Sequence, residues 1–343
     1  MIDPGLRLPA NPARADRRLR VLSTHDETIQ RVLGSLPPPL GTLALAHKTY
    51  FGADVELPAG NLILRSPPAI ATAWLYWETF DDLDDDIFLA IAEAGACIQL
   101  ASVVLDHLVD GQLPDPGGSS LLYKALTDHG VATFMKIFPA GSAFWLHYER
   151  LTRRHLDGLA AELDGRSDPR RFSYEALEVM ARGKACPVVL TVAALCEASG
   201  RTELLEPIAR SMELVGVASQ LVDDTTDWQK DAETRHLTYF LSCLGPDEAW
   251  SPDSWPSVDT LARRLESDPL DTHHLRRAVS LLDQALELVH DISCPQWGAY
   301  IHSKRLGVDR LLAMALIRAL SRSLSPGNGG SARLDEAVDW PGR

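Results

Sequence analysis

The chain has 343 residues, of which 45% are hydrophobic, 23% charged and 7% aromatic, and its formal net charge is −14. This composition excludes an intrinsically disordered or collagen-like chain, and a chain of this length buries enough surface to fold without disulfides or a structural metal. Because the acidic residues are spread along the chain and no basic stripe with interleaved aromatic residues occurs, we also exclude nucleic-acid binding.

Apolar residues recur at the helical spacing i, i+3, i+4 and i+7 along most of the chain. In chain order, this spacing predicts helices over residues 70–80, 88–109, 121–137, 144–163, 173–180, 187–199, 205–228, 275–289 and 306–320. Clusters of Pro and Gly separate them at residues 36–39, 110–118, 164–169 and 245–258. No segment shows the alternation of a strand bounded by hairpin turns, so the chain is predicted to be all-α.

The two ends of the chain lack this apolar spacing. We expect residues 1–20 to form a disordered leader and residues 325–343, with their PGNGGSAR segment, to form a flexible C-terminal tail. Residues 21–324 contain no repeat of fixed period and no long linker, which predicts one large helical domain.

The cysteines and the apolar runs indicate a cytoplasmic protein. Five cysteines, an odd number, stand far apart in mostly apolar stretches, which is typical of buried thiols in a reducing compartment. The N-terminal residues are basic but lack the apolar region of a signal peptide. The most apolar run, residues 186–198, is shorter than the ~20 residues of a membrane span, so we expect no integral membrane segment.

Two acidic clusters follow strongly apolar helical segments. Asp106 and Asp110 are four residues apart, which places both carboxylates on one face of a helix. Asp223 and Asp227 repeat this spacing. Like charges at the negative end of a helix dipole are unfavourable without a cation, and carboxylate oxygens suit Mg²⁺ that is also bound to substrate phosphates. The two clusters therefore predict a magnesium–diphosphate site.

A third acidic run, Asp81–Asp86, contains the same spacing but precedes an apolar helix. Asp is favoured at the N-terminal end of a helix, where its charge complements the dipole. We therefore interpret this run as a solvated loop that leads into the next helix.

Several segments, in this order, carry a family resemblance. Gly95–Asp110 is similar to the helix that leads into a first aspartate-rich motif, with His107 at the place of the second Asp, and Gln220–Asp227 is similar to a second such motif. Gly183–Ala185 stands at the place of a lysine-threonine motif, and His236–Tyr239 resembles a later KxTYP segment with His for Lys. The chain thus resembles the polyprenyl diphosphate synthase branch of the class I isoprenoid synthases.

This resemblance implies a single antiparallel helical bundle of the isoprenoid synthase type with a central active-site cavity, three Mg²⁺ ions, a prenyl diphosphate substrate and a homodimer. It implies that the metal ligands are Asp106, Asp110, Asp223 and Asp227, with Asp224 in a supporting catalytic role. The substrate-binding residues that we expect alongside them are Lys184, Gln220, Lys230, Arg235 and Arg65.

Two departures from the family pattern influence the predicted reaction. Where a chain-elongating enzyme has GGKRxRP, residues 60–67 keep one cation, Arg65, and residues 111–118 after the first motif contain no arginine. To leave water and bind at a second site, the diphosphate of isopentenyl diphosphate needs several charged donors that pair with its oxygens. The leading expectation is therefore a terpene synthase that ionises one allylic prenyl diphosphate, cyclises or quenches the carbocation, and releases pyrophosphate. The small Ala101 and Ser102 before Asp106 imply, by the resemblance, a substrate of twenty or more carbons.

Three alternatives remain open from the sequence. In the first alternative, the chain is a prenyl diphosphate synthase that elongates its substrate with isopentenyl diphosphate at a diverged site. In the second, it is an enzyme that transfers a prenyl group to a non-isoprenoid acceptor. In the third alternative it is a non-catalytic partner subunit, which His107 supports because it removes one carboxylate from the first motif.

Overall fold

The computed structural model describes residues 12–50, 68–167, 172–245 and 255–324, and each regular element in these ranges is a helix. In chain order the α-helices are α1 (Pro12–Ser35), α2 (Pro38–Tyr50), α3 (Pro68–Leu75), α4 (Asp85–Val109), α5 (Pro116–Ile137), α6 (Phe144–Ser167), α7 (Tyr174–Ser199), α8 (Leu205–Thr226), α9 (Trp228–Thr234), α10 (Tyr239–Leu244), α11 (Val258–Ser267), α12 (Leu270–Leu288) and α13 (Pro295–Leu324). The predicted all-α class is confirmed.

Helices α4 and α7 are the core helices of the bundle. Helix α4 packs against α5 and α7, while α7 also packs against α6 and α8. By length and composition both helices are apolar enough to cross a membrane, yet most of each is buried inside the protein. Their apolar character therefore matches burial in a core, as expected for residues 186–198.

Helix α7 joins two segments that the sequence analysis separates. Pro187 lies inside it, although proline lacks an N–H and normally interrupts a helix. The carbonyl of Gly183, four residues earlier, instead lies 3.1 Å from Nδ1 of His155 on α6. Since this lost backbone bond is replaced by a side chain and both halves are buried, the helix continues through the proline.

Residues 12–20 differ from the predicted leader, because α1 begins at Pro12. The Arg18 side chain is buried, where it lies 3.5 Å from Glu78 and donates to the carbonyl of Trp74. Arg17 pairs with Asp85 at 2.6 Å. These basic residues therefore attach α1 to α3, to the turn that follows it and to the start of α4, a role that no apolar periodicity signals. Residues 1–11 and the predicted tail, 325–343, lie outside the described ranges.

The acidic run before α4 begins that helix, as predicted. Asp84 is the N-cap residue, and its Oδ1 accepts the backbone N–H groups of Asp86 at 2.9 Å and Ile87 at 3.4 Å. Nearby, Asp82 pairs with Arg201 at 2.7 Å. The run thus caps a helix and binds basic side chains.

Helices α6 and α7 cross with their backbones in contact at two glycines. A Cβ atom added at Gly183 would lie 2.6 Å from Cα of Gly158 and 2.8 Å from the carbonyl oxygen of Arg154. Neither backbone atom can move without separating the helices. The close crossing brings α6 and α7 near enough for their polar side chains to meet one helical turn further along.

We expect Gly183→Ala to lower the free energy of unfolding by about 1–3 kcal/mol, the usual cost of overpacking. A helical Gly→Ala change otherwise stabilises by roughly 0.5–1 kcal/mol. Gly298→Ala in α13 is the matched control, since no atom lies within 4 Å of its added Cβ. Urea denaturation of both variants measures the difference, and equal stabilisation of the two would contradict the close contact.

Candidate active site

The first acidic cluster is formed by three carboxylates from two helices. Asp106 and Asp110 lie at the C-terminal end of α4, and Glu162 lies on α6. One oxygen from each of the three lies within 4.8 Å of the others. Glu162 is 4% exposed, whereas the Asp106 side chain is 31% exposed. The cluster therefore has a buried base and a side that is open to solvent.

Two cations neutralise part of this negative charge. Lys184 of α7 places Nζ 2.9 Å from Oδ1 of Asp106 and 2.9 Å from Oε2 of Glu162. Arg166 of α6 places Nη2 2.7 Å from Asp110 and 2.5 Å from Glu162. Burial lowers the pKa of Lys184, but the charges of Asp106 and Glu162 outweigh this effect and raise it. The lysine therefore stays protonated among three carboxylates.

The turn after α4 directs Asp110 toward α6. Asp110 is the C-cap residue of α4, and Gly111 follows in the left-handed region at φ 65°. Glycine adopts this conformation without steric cost. The chain can therefore leave the helix immediately after the second aspartate, and Asp110 reaches the guanidinium of Arg166.

The second acidic cluster lies where α8 ends and α9 begins. Asp223 is exposed and Asp227 is half-buried. Asp231, four residues further along, continues the spacing of this pair. Burial, together with the charges of Asp223 and Asp227, raises the pKa of Asp231 to about 7. The three carboxylates are therefore near enough to repel one another.

Asp224 is buried, unlike its neighbour Asp223. Burial raises the pKa of Asp224 to about 7, while Gln220 Nε2 donates to its Oδ1 at 2.7 Å. Asp224 therefore holds the half-buried Gln220 in place. It does not offer a solvent-facing oxygen to a cation.

The two acidic clusters lie within electrostatic range of each other. The positive charge of Arg166, which binds the first cluster, lowers the pKa of Asp231 in the second. Burial lowers the pKa of His236, in the turn after α9, to about 4, with smaller effects from Arg166, Asp110, Lys184 and Asp106. His236, at the place of the family lysine, is therefore a neutral side chain near the first cluster.

The remaining predicted substrate residues are distributed unevenly. Lys230 and Arg235 are exposed near the second cluster, and Arg65 lies outside the described residues. Ser102 is half-buried one turn before Asp106 on the same face of α4. Ala101 lies about 140° around the helix from Asp106 and packs in a separate core cluster with residues of α1, α2 and α5. Ala101 therefore does not share the Asp106 face, and its role in setting substrate length stays a prediction.

The donor set of the first cluster fits Mg²⁺. Its three ligands are carboxylates, and hard oxygen donors are those that Mg²⁺ prefers. Oδ1 of Asp106 and Oε2 of Glu162 are buried and accept no well-aligned hydrogen bond, so Lys184 is their charge partner. These oxygens retain the capacity to bind a further cation.

Sequence reasoning missed Glu162, Arg166 and Asp231. Asp231 could have been found, because it repeats the four-residue interval of Asp223 and Asp227. Glu162 and Arg166 are also four residues apart, but such a pair is common on exposed helices. Only their position opposite Asp110 in the folded protein distinguishes Glu162 and Arg166 from such an exposed pair.

No family model matches the chain, and no curated protein is similar to it in sequence. Several solved structures are similar to it in fold. A polyprenyl synthetase from Streptomyces coelicolor A3(2) is 17% identical over 88% of this chain and 97% of its own, with a TM-score of 0.57. A geranylgeranyl pyrophosphate synthetase from the archaeon Geoglobus acetivorans is 13% identical over 87% and 98%, with a TM-score of 0.61. A geranylgeranyl pyrophosphate synthase from Lactobacillus brevis is 14% identical over 89% and 100%, with a TM-score of 0.59. The chain therefore has the all-α isoprenoid synthase fold.

Proposed function

We propose that this protein is a Mg²⁺-dependent enzyme that ionises an allylic prenyl diphosphate and transfers the prenyl group to isopentenyl diphosphate. The observation that supports the enzyme class is the carboxylate cluster of Asp106, Asp110 and Glu162 with its paired cations Lys184 and Arg166, and a second acidic cluster that lies within the electrostatic range of Arg166. The solved structures of the same fold are named as polyprenyl and geranylgeranyl synthases. Those names favour chain elongation over the cyclisation that the sequence first suggested.

The residues that would hold Mg²⁺ are Asp106, Asp110 and Glu162 on one side and Asp223, Asp227 and Asp231 on the other. Bound Mg²⁺ supplies positive charge to the phosphate oxygens and stabilises the departing diphosphate. A set of three ions, as the resemblance implies, is part of this proposal.

The cations of the site would bind the diphosphate directly. Lys184 and Arg166 neutralise two of the three acidic charges of the first cluster and retain further N–H donors. Charge-assisted hydrogen bonds from these donors would hold the diphosphate between the clusters. Gln220, oriented by Asp224, would contribute an amide donor, and the exposed Lys230 and Arg235 would contact the diphosphate from the second cluster.

A terpene synthase is the second candidate, because one observation favours it. Chain elongation requires a second diphosphate site, but the turn between α4 and α5, residues 110–115, contains no Lys or Arg. The nearby Arg166 is already paired with Asp110 and Glu162. An enzyme that ionises one substrate and quenches its carbocation within the protein needs no second diphosphate site.

Incubation with Mg²⁺ and allylic diphosphates of ten to twenty-five carbons, with and without isopentenyl diphosphate, tests both candidates. We expect pyrophosphate release and a longer prenyl diphosphate only when isopentenyl diphosphate is present. A hydrocarbon or alcohol formed from one substrate alone would instead establish the terpene synthase. Absence of pyrophosphate release in every mixture would contradict both and favour a non-isoprenoid acceptor or a non-catalytic subunit.

A cytoplasmic location and a homodimer belong to the same proposal. All five cysteines are free, and four of them are buried, which is consistent with a reducing compartment. Helices α5 and α6 expose apolar side chains that a second copy of the chain would cover. The exposed side chains are Leu121, Met135, Leu146, Leu156 and Leu163.

A further inference from the structure

A cavity lies away from the carboxylate clusters, between α6, α7 and α8. Its volume is about 380 Å³, which is within the range of small-molecule sites. On α6 it is lined by Arg150 and Arg154, and Arg154 is about 12 Å along the helix from Glu162. On α8 its lining ends at Glu213, about 15 Å before Asp223. The cavity therefore shares no residue with the candidate active site.

The polar wall of this cavity carries a net positive charge. Three arginines, Arg150, Arg154 and Arg210, line it together with Glu206 and Glu213. The Glu213 side chain is 9% exposed, and its two oxygens pair with Arg154 at 2.6 Å and Arg210 at 3.4 Å. In a protein with a net charge of −14, this is a local concentration of guanidinium groups.

The arginines retain donors that the protein does not use. Arg150 has no carboxylate within 4 Å among the described residues, and it donates to Nδ1 of His147 at 3.2 Å. Arg154 uses Nη2 for Glu213 and Arg210 uses Nη1. A guanidinium has five N–H donors in a planar arrangement that matches phosphate oxygens. Several donors are therefore free to bind an anion in the cavity.

The remaining lining residues of the cavity are apolar. Leu151, Val189, Leu205 and Ala209 line it, and Leu205 is the first residue of α8. A bound molecule would therefore meet both guanidinium groups and hydrocarbon side chains.

We infer that this cavity binds a small organic phosphate, with the phosphate on Arg150, Arg154 and Arg210 and a short apolar group against Leu151 and Val189. A phosphate monoester has close to two negative charges at neutral pH and three strong acceptor oxygens, which suit three guanidinium groups better than the two oxygens of a carboxylate. This inference does not depend on the proposed reaction.

Titration calorimetry with n-butyl phosphate in the presence of EDTA tests the inference. EDTA removes divalent cations, so the carboxylate clusters cannot hold the phosphate through a metal. We expect saturable binding, weaker binding of inorganic phosphate, and unchanged affinity in Asp106→Asn. Failure of the wild-type protein to bind n-butyl phosphate, or equal affinity for inorganic phosphate, would overturn the inference while leaving the proposed function intact.

Arg150→Gln and Arg153→Gln form a matched pair on α6. Both arginines are exposed, but Arg153 pairs with Glu149 and does not line the cavity. Loss of a charge-assisted hydrogen bond should weaken n-butyl phosphate binding about tenfold or more in Arg150→Gln. The Arg153→Gln affinity should stay within about twofold of wild type. Equal losses in the two variants would show general attraction by surface charge and would overturn the assigned site.

Discussion

Asp106→Asn is expected to reduce pyrophosphate release from an allylic prenyl diphosphate by about 100- to 1000-fold, the usual cost of removing one preorganised charge-stabilising group. Asp106 is the most solvent-accessible carboxylate of the first cluster and lies 2.9 Å from Lys184. The asparagine keeps the shape of the side chain but removes a negative charge that Mg²⁺ requires. We therefore expect the remaining activity to need a higher Mg²⁺ concentration.

The control for this variant is Asp128→Asn on α5. Asp128 is exposed and pairs only with the exposed Lys124, according to the described contacts. Its activity should equal that of the wild type, because the change lies outside both clusters. Assays across a Mg²⁺ series, together with thermal melting to verify folding, make the comparison. Wild-type pyrophosphate release by Asp106→Asn would remove the first cluster from the proposed reaction.

Lys184→Met is expected to lower the free energy of unfolding by about 3 kcal/mol, because removing one partner leaves buried charge uncompensated. Glu162 has a side chain that is only 5% exposed, and it would keep Arg166 as its remaining cation. Methionine has a similar length, so packing changes little. The cluster would then hold three carboxylates and one cation, which should increase its affinity for Mg²⁺.

Chemical denaturation with and without Mg²⁺ measures both effects. Mg²⁺ should stabilise Lys184→Met more than the wild type, because a ligand that binds the folded state more tightly raises its stability further. Lys124→Met, which removes a lysine whose side chain is 68% exposed, should change stability by less than about 1 kcal/mol. If Lys184→Met were as stable as Lys124→Met, the lysine would not be a counter-charge to the buried carboxylates.

The helices show where local patterns suffice for prediction. Helices α4, α5, α6 and α8 were predicted within a few residues of their ends, because each buries one apolar face along its length. Helices α1 and α2 were not among the predicted helices. The first turns of α1, which fall in the expected leader, are held by contacts of Arg17 and Arg18 with distant acidic and carbonyl groups. The continuity of α7 was missed as well, because it depends on a bond from His155 in another helix.

The sequence by itself determined the all-α class and the two aspartate pairs. The class follows from apolar residues that recur at helical spacing, and each pair follows from a four-residue interval along one helix, so both patterns are local. Only the tertiary structure decided which side chains surround those aspartates. Glu162 and Lys184 reach Asp106 because α6 and α7 cross closely at Gly158 and Gly183, which no local pattern reveals. The tertiary structure also decided that Asp224 is buried while Asp223 is exposed, because one face of α8 packs against the protein and the adjacent face borders the candidate active site.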